Sequence, residues 1–155
     1  NGKIQMTGLK YEEQGSNLYN VLFEMFKGFE DTFDGGLDLL NYRIVLINSD
    51  FSLNKSIDRD LLQDKLAESD YYSTYEPCVY PGVNIKYYFN SNNCDGICKC
   101  NSVCPGKGTA DGDGECKRVT IAVFKEGNTI ITGAKFRYQL NTCKDFITDF
   151  VNNKI

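Results

Sequence analysis

Cysteine is the residue type in this chain with the clearest capacity for chemistry. The 155-residue sequence has seven cysteines, and five of them lie in one glycine-rich stretch: Cys94, Cys98, Cys100, Cys104 and Cys116. Such thiol groups bind zinc or another soft metal, or form disulfides in an oxidising compartment. The Cys-x3-Cys-x-Cys-x3-Cys spacing differs from that of a zinc ribbon. Three alternatives therefore remain for these five cysteines: a four-cysteine metal site, two disulfides, or a loop of reduced thiols. A metal site or two disulfides would each leave one cysteine unused.

Other catalytic chemistry is scarce in this sequence. The chain has no histidine, which excludes Ser-His-Asp and Cys-His catalytic pairs and any zinc site with a histidine ligand. The order of residues also reveals no paired carboxylates and no nucleophile with a neighbouring base. We therefore expect a binding protein and not an enzyme.

The composition is that of an ordinary folded domain, with 41% apolar and 25% charged residues. The net charge of −4 weighs against a protein that coats nucleic acid non-specifically, because neutralising phosphates requires clustered lysine and arginine. No apolar run approaches the roughly 18 residues of a membrane span. The chain opens with neither a signal peptide nor Met, so we expect a fragment or a processed product.

An internal repeat indicates which elements position these residues. The sequence GKIQMTGLKY, from Gly2 to Tyr11, recurs as GNTIITGAKF, from Gly127 to Phe136, displaced by 125 positions. An amphipathic helix pattern follows each copy at the same displacement. Its apolar positions are Leu18, Val21, Leu22, Met25 and Phe26 in the first copy, and Cys143, Phe146, Ile147, Phe150 and Val151 in the second. The shared displacement predicts a duplicated strand–helix unit, with Cys143 in the core.

The stretch between the two copies predicts one helix and several strands. Apolar spacing from Ile57 to Leu66 indicates the helix, and strands are expected at Arg43–Ile47, Val83–Phe89 and Val119–Phe124. Residues 90–117 lack apolar periodicity, which indicates a long insertion between the last two strands. The last strand is apolar or small on both faces, so a face left without helices is expected to bind a partner.

The segment from Tyr75 to Val83, YEPCVYPGV, resembles the YEPxLFPG segment of the TATA-box-binding protein (TBP) family. The segments Ile121–Phe124 and Ile130–Arg137 are similar to that family's last two strands and the start of its final helix. The resemblance implies an α+β saddle, a curved antiparallel sheet with helices on its convex side. It places the last strand and helix of an incomplete first repeat at residues 1–35, and the second repeat at residues 36–155.

The resemblance implies a general transcription initiation factor that binds A/T-rich promoter DNA in the minor groove and kinks it. Its expected partners are that DNA, a IIB-like factor and the RNA polymerase machinery. Its expected location is the nucleus, or a cytoplasmic viral factory if the source is a large DNA virus. The alternative is a TBP-like protein-interaction module with little or no DNA binding. The acidic balance favours that alternative, as do Leu46 and Asn128, which replace a family asparagine and lysine.

The matched motifs also imply individual roles. Tyr80 and Phe124 take the positions of the aromatic wedges that the family inserts between base steps. The side chains expected at the groove floor are Thr7, Thr120, Ala122, Ile130 and Thr132, and those expected at phosphates are Lys3, Lys10, Lys86, Arg118, Lys135 and Arg137. Glu76 and Val79 match the segment that docks the IIB factor. As for a cofactor, we expect either zinc bound by the cysteines of the insertion or no cofactor.

Overall fold

The computed structural model describes residues 3–32, 42–91, 95–110 and 115–155. The chain divides into two compact units, Asn1–Arg43 and Ile44–Ile155. The boundary predicted between residues 35 and 36 lies outside the described residues. In the described part of the chain, no helix is long and apolar enough to cross a membrane.

The first unit contains helix α1, Glu12–Lys27, followed by a short 3-10 helix at Glu30–Thr32. The sequence predicted the long helix. It also predicted a strand before α1, but no strand is assigned to residues 3–11. A strand needs a hydrogen-bonded neighbour, and the described residues of this unit form only helical and irregular structure.

The second unit is built on a five-stranded antiparallel sheet. In chain order its elements are β1 (Ile47–Ser52), α2 (Arg59–Glu68), β2 (Tyr72–Glu76), β3 (Tyr80–Phe89), β4 (Lys117–Val123), β5 (Asn128–Ala134) and α3 (Arg137–Lys154). The strand order across the sheet is β1-β5-β4-β3-β2. This arrangement confirms the predicted α+β class and the antiparallel sheet.

Both helices of this unit cover the same face of the sheet and form one core with it. Buried side chains alternate along β3 and β4 and meet Leu62 and Leu66 of α2 together with Ile147 and Val151 of α3. The α2 helix begins where the Asp58 side chain accepts a hydrogen bond from the Leu61 N–H at 3.0 Å. The opposite face of the sheet is left without a helix from this unit.

The N-termini of α1 and α3 are capped by the same pattern of hydrogen bonds. Gln14 Oε1 accepts hydrogen bonds from the backbone N–H groups of Lys10 at 2.8 Å and Tyr11 at 3.1 Å. Gln139 Oε1 accepts the corresponding bonds from Lys135 at 2.8 Å and Phe136 at 3.2 Å. All three residue pairs are displaced by 125 positions. The same capping arrangement in both units supports the predicted duplication.

The apolar faces of the two equivalent helices have different fates. In α3, Cys143, Ile147 and Val151 are fully buried against the sheet. In α1, the equivalent residues are Leu18, which is 38% exposed, and Leu22 and Phe26, which are half-buried. The predicted helix pattern is present in both, but among the described residues only α3 is covered by a sheet of its own unit.

The strand predicted at Arg43–Ile47 is wrong in position. The strand begins at Ile47, which lies opposite Ala134, the last residue of β5. The residues just before it therefore have no neighbouring strand, and Val45 and Leu46 are 69% and 48% exposed. Apolar composition predicted a strand in this region, but the end of β5 determines where strand pairing begins.

The insertion between β3 and β4 is irregular in its described parts, as predicted. It is joined to the strands by backbone hydrogen bonds, including Tyr88 N–H to Gly96 O and Arg118 N–H to Gly106 O, each at 2.9 Å. Gly106 has a φ of +65°, and a Cβ there would collide with the Arg118 side chain. Glycine therefore allows this part of the insertion to lie close against β4.

Candidate nucleic-acid interface

The sheet face opposite α2 and α3 carries most of the residues predicted to bind DNA, and we call it the open face. Directly opposed residues of antiparallel strands share a face, so the pairing register arranges these side chains in rows. Besides an aromatic pair at one end, the open face includes Asp50, Tyr72, Thr74, Asn84, Lys86, Tyr88, Arg118, Thr120, Ala122, Ile130 and Thr132. Its two ends differ strongly in chemistry.

One end of the open face holds the two predicted wedge residues. The ring centroids of Tyr80 and Phe124 lie 5.7 Å apart at an interplanar angle of 58°. A Cβ at Gly82 would lie 2.9 Å from a Tyr80 ring carbon and 3.1 Å from one of Phe124. Because Gly82 has no side chain, both rings can pack across it. The structure thus brings together two aromatics that are far apart in sequence.

The row next to the aromatic pair is mostly small or apolar. Asn84 lies opposite Ala122, Ala122 lies opposite Ile130, and Ile130 lies opposite Asp50. Ile130 is 38% exposed, but Ala122, although on the open face, is only 5% exposed. Sequence reasoning named neither Asn84 nor Asp50 as a site residue. The alternation of Asn84 with buried Val83 and Ile85 was a signal for Asn84.

The next row is polar and carries a lysine. Lys86 lies opposite Thr120, and Thr120 lies opposite Thr132. Lys86 Nζ donates a hydrogen bond to Thr120 Oγ1 at 3.1 Å. Partial burial lowers the pKa of Lys86, and the nearby positive charge of Arg118 lowers it further. An anion bound here would favour the charged lysine.

Tyr88 and Arg118 form the last row, beside the insertion. They lie opposite each other on β3 and β4. Burial raises the pKa of the Tyr88 hydroxyl, against the opposing effect of the hydrogen bond and charge of Arg118. Arg118 remains exposed, so its guanidinium is accessible from solvent.

Two further predicted cations flank the N-terminus of α3. Lys135 Nζ lies 5.3 Å from the centroid of the Phe136 ring, and Arg137 is exposed at the first residue of the helix. The first turn of α3 has no acidic residue, whereas that of α1 has Glu12 and Glu13. Since a helix N-terminus carries partial positive charge, this end of α3 attracts anions.

The segment predicted to dock a partner is an exposed turn. Glu76 ends β2, and the following turn is closed by a hydrogen bond from Val79 N–H to Glu76 O at 2.8 Å. Val79 is 79% exposed. Arg59 of α2, which sequence reasoning missed, donates to Pro81 O at 2.6 Å and lies 5.1 Å from the Tyr75 ring centroid. It connects α2 to both strands around the turn.

Four cysteines of the insertion come together at the other end of β3 and β4. The Sγ atoms of Cys98, Cys100, Cys104 and Cys116 all lie within 4.8 Å of one another, a grouping that can hold a metal ion. The fifth, Cys94, lies outside the described residues. Elsewhere in the described chain, Cys78 is exposed and Cys143 is buried in the core, as predicted. Burial raises the pKa of Cys143 to about 12.

Hydrogen bonds among the clustered thiol groups make them unequal. Those with Cys98, and then with Cys116 and Cys104, raise the pKa of Cys100 to about 12. For Cys104, burial raises the pKa, but hydrogen bonds from the Gly106 backbone and the neighbouring thiols outweigh it, and the net shift is downward.

Comparison with known proteins identifies the fold and the relatives. No family model matches the chain. A mimivirus protein, the "TATA-box-binding protein-like" protein of Acanthamoeba polyphaga mimivirus, is 30% identical over 158 aligned positions, covering 87% of this chain. The structure of Methanococcus jannaschii TBP matches 96% of this chain and 68% of its own, with a TM-score of 0.57 and 16% identity. The chain is a divergent TBP-like protein. It spans only 36% of the length of the mimivirus relative.

The predicted site residues of this TBP-like protein fall into two sets. The second unit brings together the aromatic pair and the rows of small, hydroxyl and basic side chains on the open face. Thr7, Lys3 and Lys10 belong to the first unit, where all three are exposed. The TBP-like sheet therefore carries its candidate interface within residues 44–155.

Proposed function

We propose that this TBP-like protein is a transcription initiation factor that binds A/T-rich double-stranded DNA in the minor groove and kinks it. The observation that carries the proposal is the contact between Tyr80 and Phe124 at one end of the open face. The proposed activity is binding, without a catalytic step. Each part of the face supports a different part of this activity.

The aromatic pair is suited to act as a wedge. Separating two stacked base pairs requires rigid apolar groups that replace the lost stacking, and aromatic rings provide them. Tyr80 is 37% exposed, and its ring contacts Phe124 in the unbound protein, so little side-chain entropy is lost on insertion. The Tyr80 hydroxyl requires a water molecule or a polar partner once inserted.

The middle of the open face suits the floor of an A/T-rich groove. A·T pairs present only acceptors there, N3 of adenine and O2 of thymine. Asn84, Thr120 and Thr132 carry donors, and Ala122 is small enough to permit close approach. A G·C pair adds an amino group, which competes for the same space, so we expect a preference for A·T pairs.

Four basic groups of the second unit support contacts with phosphates. Lys86 and Arg118 lie on the open face, and Lys135 and Arg137 lie beside the N-terminus of α3. Some acidic residues of the second unit, such as Asp60 and Asp149, lie on the helices of the opposite face. The net charge of −4 therefore does not preclude binding through the open face.

We also propose that the turn at Glu76 and Val79 docks a IIB-like factor and so recruits the RNA polymerase machinery. The large exposure of Val79 provides an apolar contact, and Glu76 provides a charge beside it. The mimivirus relative is consistent with a viral factory or the nucleus as the place of action. Cys78 stands where the family has an acid, so we expect an altered contact.

A second function is favoured by Asp50. This carboxylate lies on the open face opposite Ile130, where it would be repelled by DNA phosphates and by groove acceptors. Leu46, in place of a family asparagine, removes a further polar group. On this alternative, the open face binds a protein partner and has little or no affinity for DNA.

Fluorescence-reported bending of a duplex with a central TATA sequence distinguishes the two functions. We expect the wild-type protein to bend the duplex at low salt. Phe124→Ala should abolish the bend but change little the slope of the logarithm of the DNA-binding constant against the logarithm of the salt concentration. Lys86→Ala should instead weaken binding and reduce that slope by about one. Phe29→Ala and Lys154→Ala, at exposed residues outside the open face, serve as matched controls.

Two results would contradict DNA bending by this surface. One is the absence of any bend at low salt with the folded protein. The other is equal bending by wild type and Phe124→Ala. A protein partner that binds wild type but not Phe124→Ala, with no DNA binding by either, would establish the alternative.

A further inference from the structure

We infer that Cys98, Cys100, Cys104 and Cys116 bind one zinc ion, and that this ion fixes the insertion to the end of β3 and β4. The site is structural and lies apart from the aromatic pair. Tyr80 begins β3 and Phe89 ends it, a length of about 30 Å at about 3.3 Å per residue. The inference does not depend on whether the open face binds DNA.

The separations of the sulfur atoms fit one tetrahedral ion. Zinc–sulfur bonds of about 2.3 Å in a tetrahedron place the sulfur atoms about 3.8 Å apart. The Sγ of Cys116 lies 3.6 Å from that of Cys100 and 3.8 Å from that of Cys98. A disulfide would require a separation of about 2.05 Å. The four side chains are therefore already spaced as ligands of a single ion.

The donor set selects the metal. All four ligands are sulfur, which excludes the oxygen-preferring Mg²⁺ and Ca²⁺. A tetrahedral group of four thiolates is typical of zinc or of iron–sulfur centres. A cluster of several iron atoms separates its cysteines more widely than a single ion does, whereas all four sulfur atoms here lie within 4.8 Å. The spacing therefore fits a single tetrahedral ion, and zinc is the ion that four-cysteine structural sites typically hold.

The positions of the ligands in the chain explain what the ion would do. Three of them lie in the middle of the insertion, and Cys116, which is 2% exposed, directly precedes β4. An ion bound to all four therefore joins the insertion to the sheet. Val103, between two of the ligands, is 97% exposed. This part of the insertion has little apolar core of its own, and such segments are commonly stabilised by a metal.

The ion would also shape the open face. A pocket of about 320 Å³ lies between the insertion and the sheet, lined by Lys86 and Tyr88 on one side and Cys98 and Cys104 on the other. Fixing the insertion holds one wall of this pocket in place. The cysteine cluster thus sets the boundary of the open face at the end far from the aromatic pair.

Metal analysis of the protein purified from cells grown with zinc tests the inference. We expect about one zinc per chain, and less than one fifth of that in Cys100→Ser. Cys100 is the suitable position because it is exposed and its replacement leaves the core intact. Cys78→Ser, at an exposed cysteine outside the cluster, is the matched control and should retain the full zinc content.

Two further measurements keep the test valid if Cys100→Ser folds poorly. Cobalt added to metal-free wild type should produce the intense absorption bands of tetrahedral thiolate coordination at one equivalent. A chelator should speed proteolysis within residues 91–116 while the circular dichroism of the sheet and helices is largely kept.

Several results would overturn the inference. These are wild-type protein without metal, iron in place of zinc, or the same zinc content in Cys100→Ser as in wild type. Mass spectrometry that finds disulfides among these four cysteines in freshly purified protein would also overturn it. Cobalt spectra of octahedral type would exclude the four-sulfur site.

Discussion

Gln14 and Gln139 cap their helices with the same hydrogen bonds in different surroundings, which permits a matched test of the fold. Each Oε1 accepts from two consecutive backbone N–H groups, at 2.8 and 3.1 Å for Gln14 and at 2.8 and 3.2 Å for Gln139. Gln139 is 0% exposed, whereas Gln14 is exposed. Methionine at either position keeps a similar volume and removes the acceptor.

The burial of Gln139 sets the size of the expected effect. Leaving a buried donor without an acceptor costs about 1–3 kcal/mol. Lys135 and Phe136, which carry the two donors, are half-buried, so Gln139→Met should destabilise the second unit by about 2–4 kcal/mol. In Gln14→Met water replaces the lost acceptor, and the cost should be about 0.5 kcal/mol.

Urea unfolding followed by tyrosine fluorescence and circular dichroism measures both effects, since the chain has no tryptophan. With a slope of about 2 kcal/mol per molar, Gln139→Met should lower the midpoint by about 1–2 M. Gln139→Glu keeps an oxygen acceptor at the helix N-terminus and should recover a large part of the loss. Equal shifts for Gln14→Met and Gln139→Met would refute the reasoning from burial. So would a shift for Gln139→Met that is too small to measure.

Two other predictions concern the open face. Asp50→Asn should raise DNA affinity about 3- to 10-fold at low salt, because it removes a charge that repels phosphates. A binding titration checks this, with Asp149→Asn on α3 as the control. Unchanged affinity would mean that DNA does not cover Asp50. Gly82→Ala should reduce DNA bending, because the added Cβ displaces the Tyr80 and Phe124 rings. The bending assay checks this, and a small shift in the urea midpoint shows that the fold is retained. Unaltered bending would contradict the role of the aromatic pair.

Periodicity predicted the elements that have one buried face. Val83, Ile85 and Tyr87 alternate with polar residues, and the structure buries all three. The spacing of Leu62 and Leu66 likewise identified α2 and its buried side. The order of strands in the sheet does not follow from periodicity, and it was not predicted. The resemblance to a known family implied only a curved antiparallel sheet with helices on its convex side.

Features that depend on contacts between distant segments were not predictable. Asp50 reaches the open face because of how β1 pairs with β5, including a register shift between Ile47 and Ser49. Arg59 donates a hydrogen bond to Pro81 O and lies over the Tyr75 ring, and these two residues belong to neighbouring strands. No local pattern in the sequence records either contact. The sequence left a four-cysteine metal site open as one alternative, but whether the cysteines come together depends on how the insertion folds back onto β4.

The pairing of β3 with β4 has a consequence for how this protein can change over evolutionary time. The register runs without a shift from Val83 opposite Val123 to Phe89 opposite Lys117. The insertion thus enters and leaves at adjacent positions of an intact hairpin. A segment attached in this way is a separate module that can grow, shrink or be exchanged without moving Tyr80 or Phe124. We therefore expect relatives to vary most in length at this hairpin, and a short turn grafted there to leave the sheet unchanged.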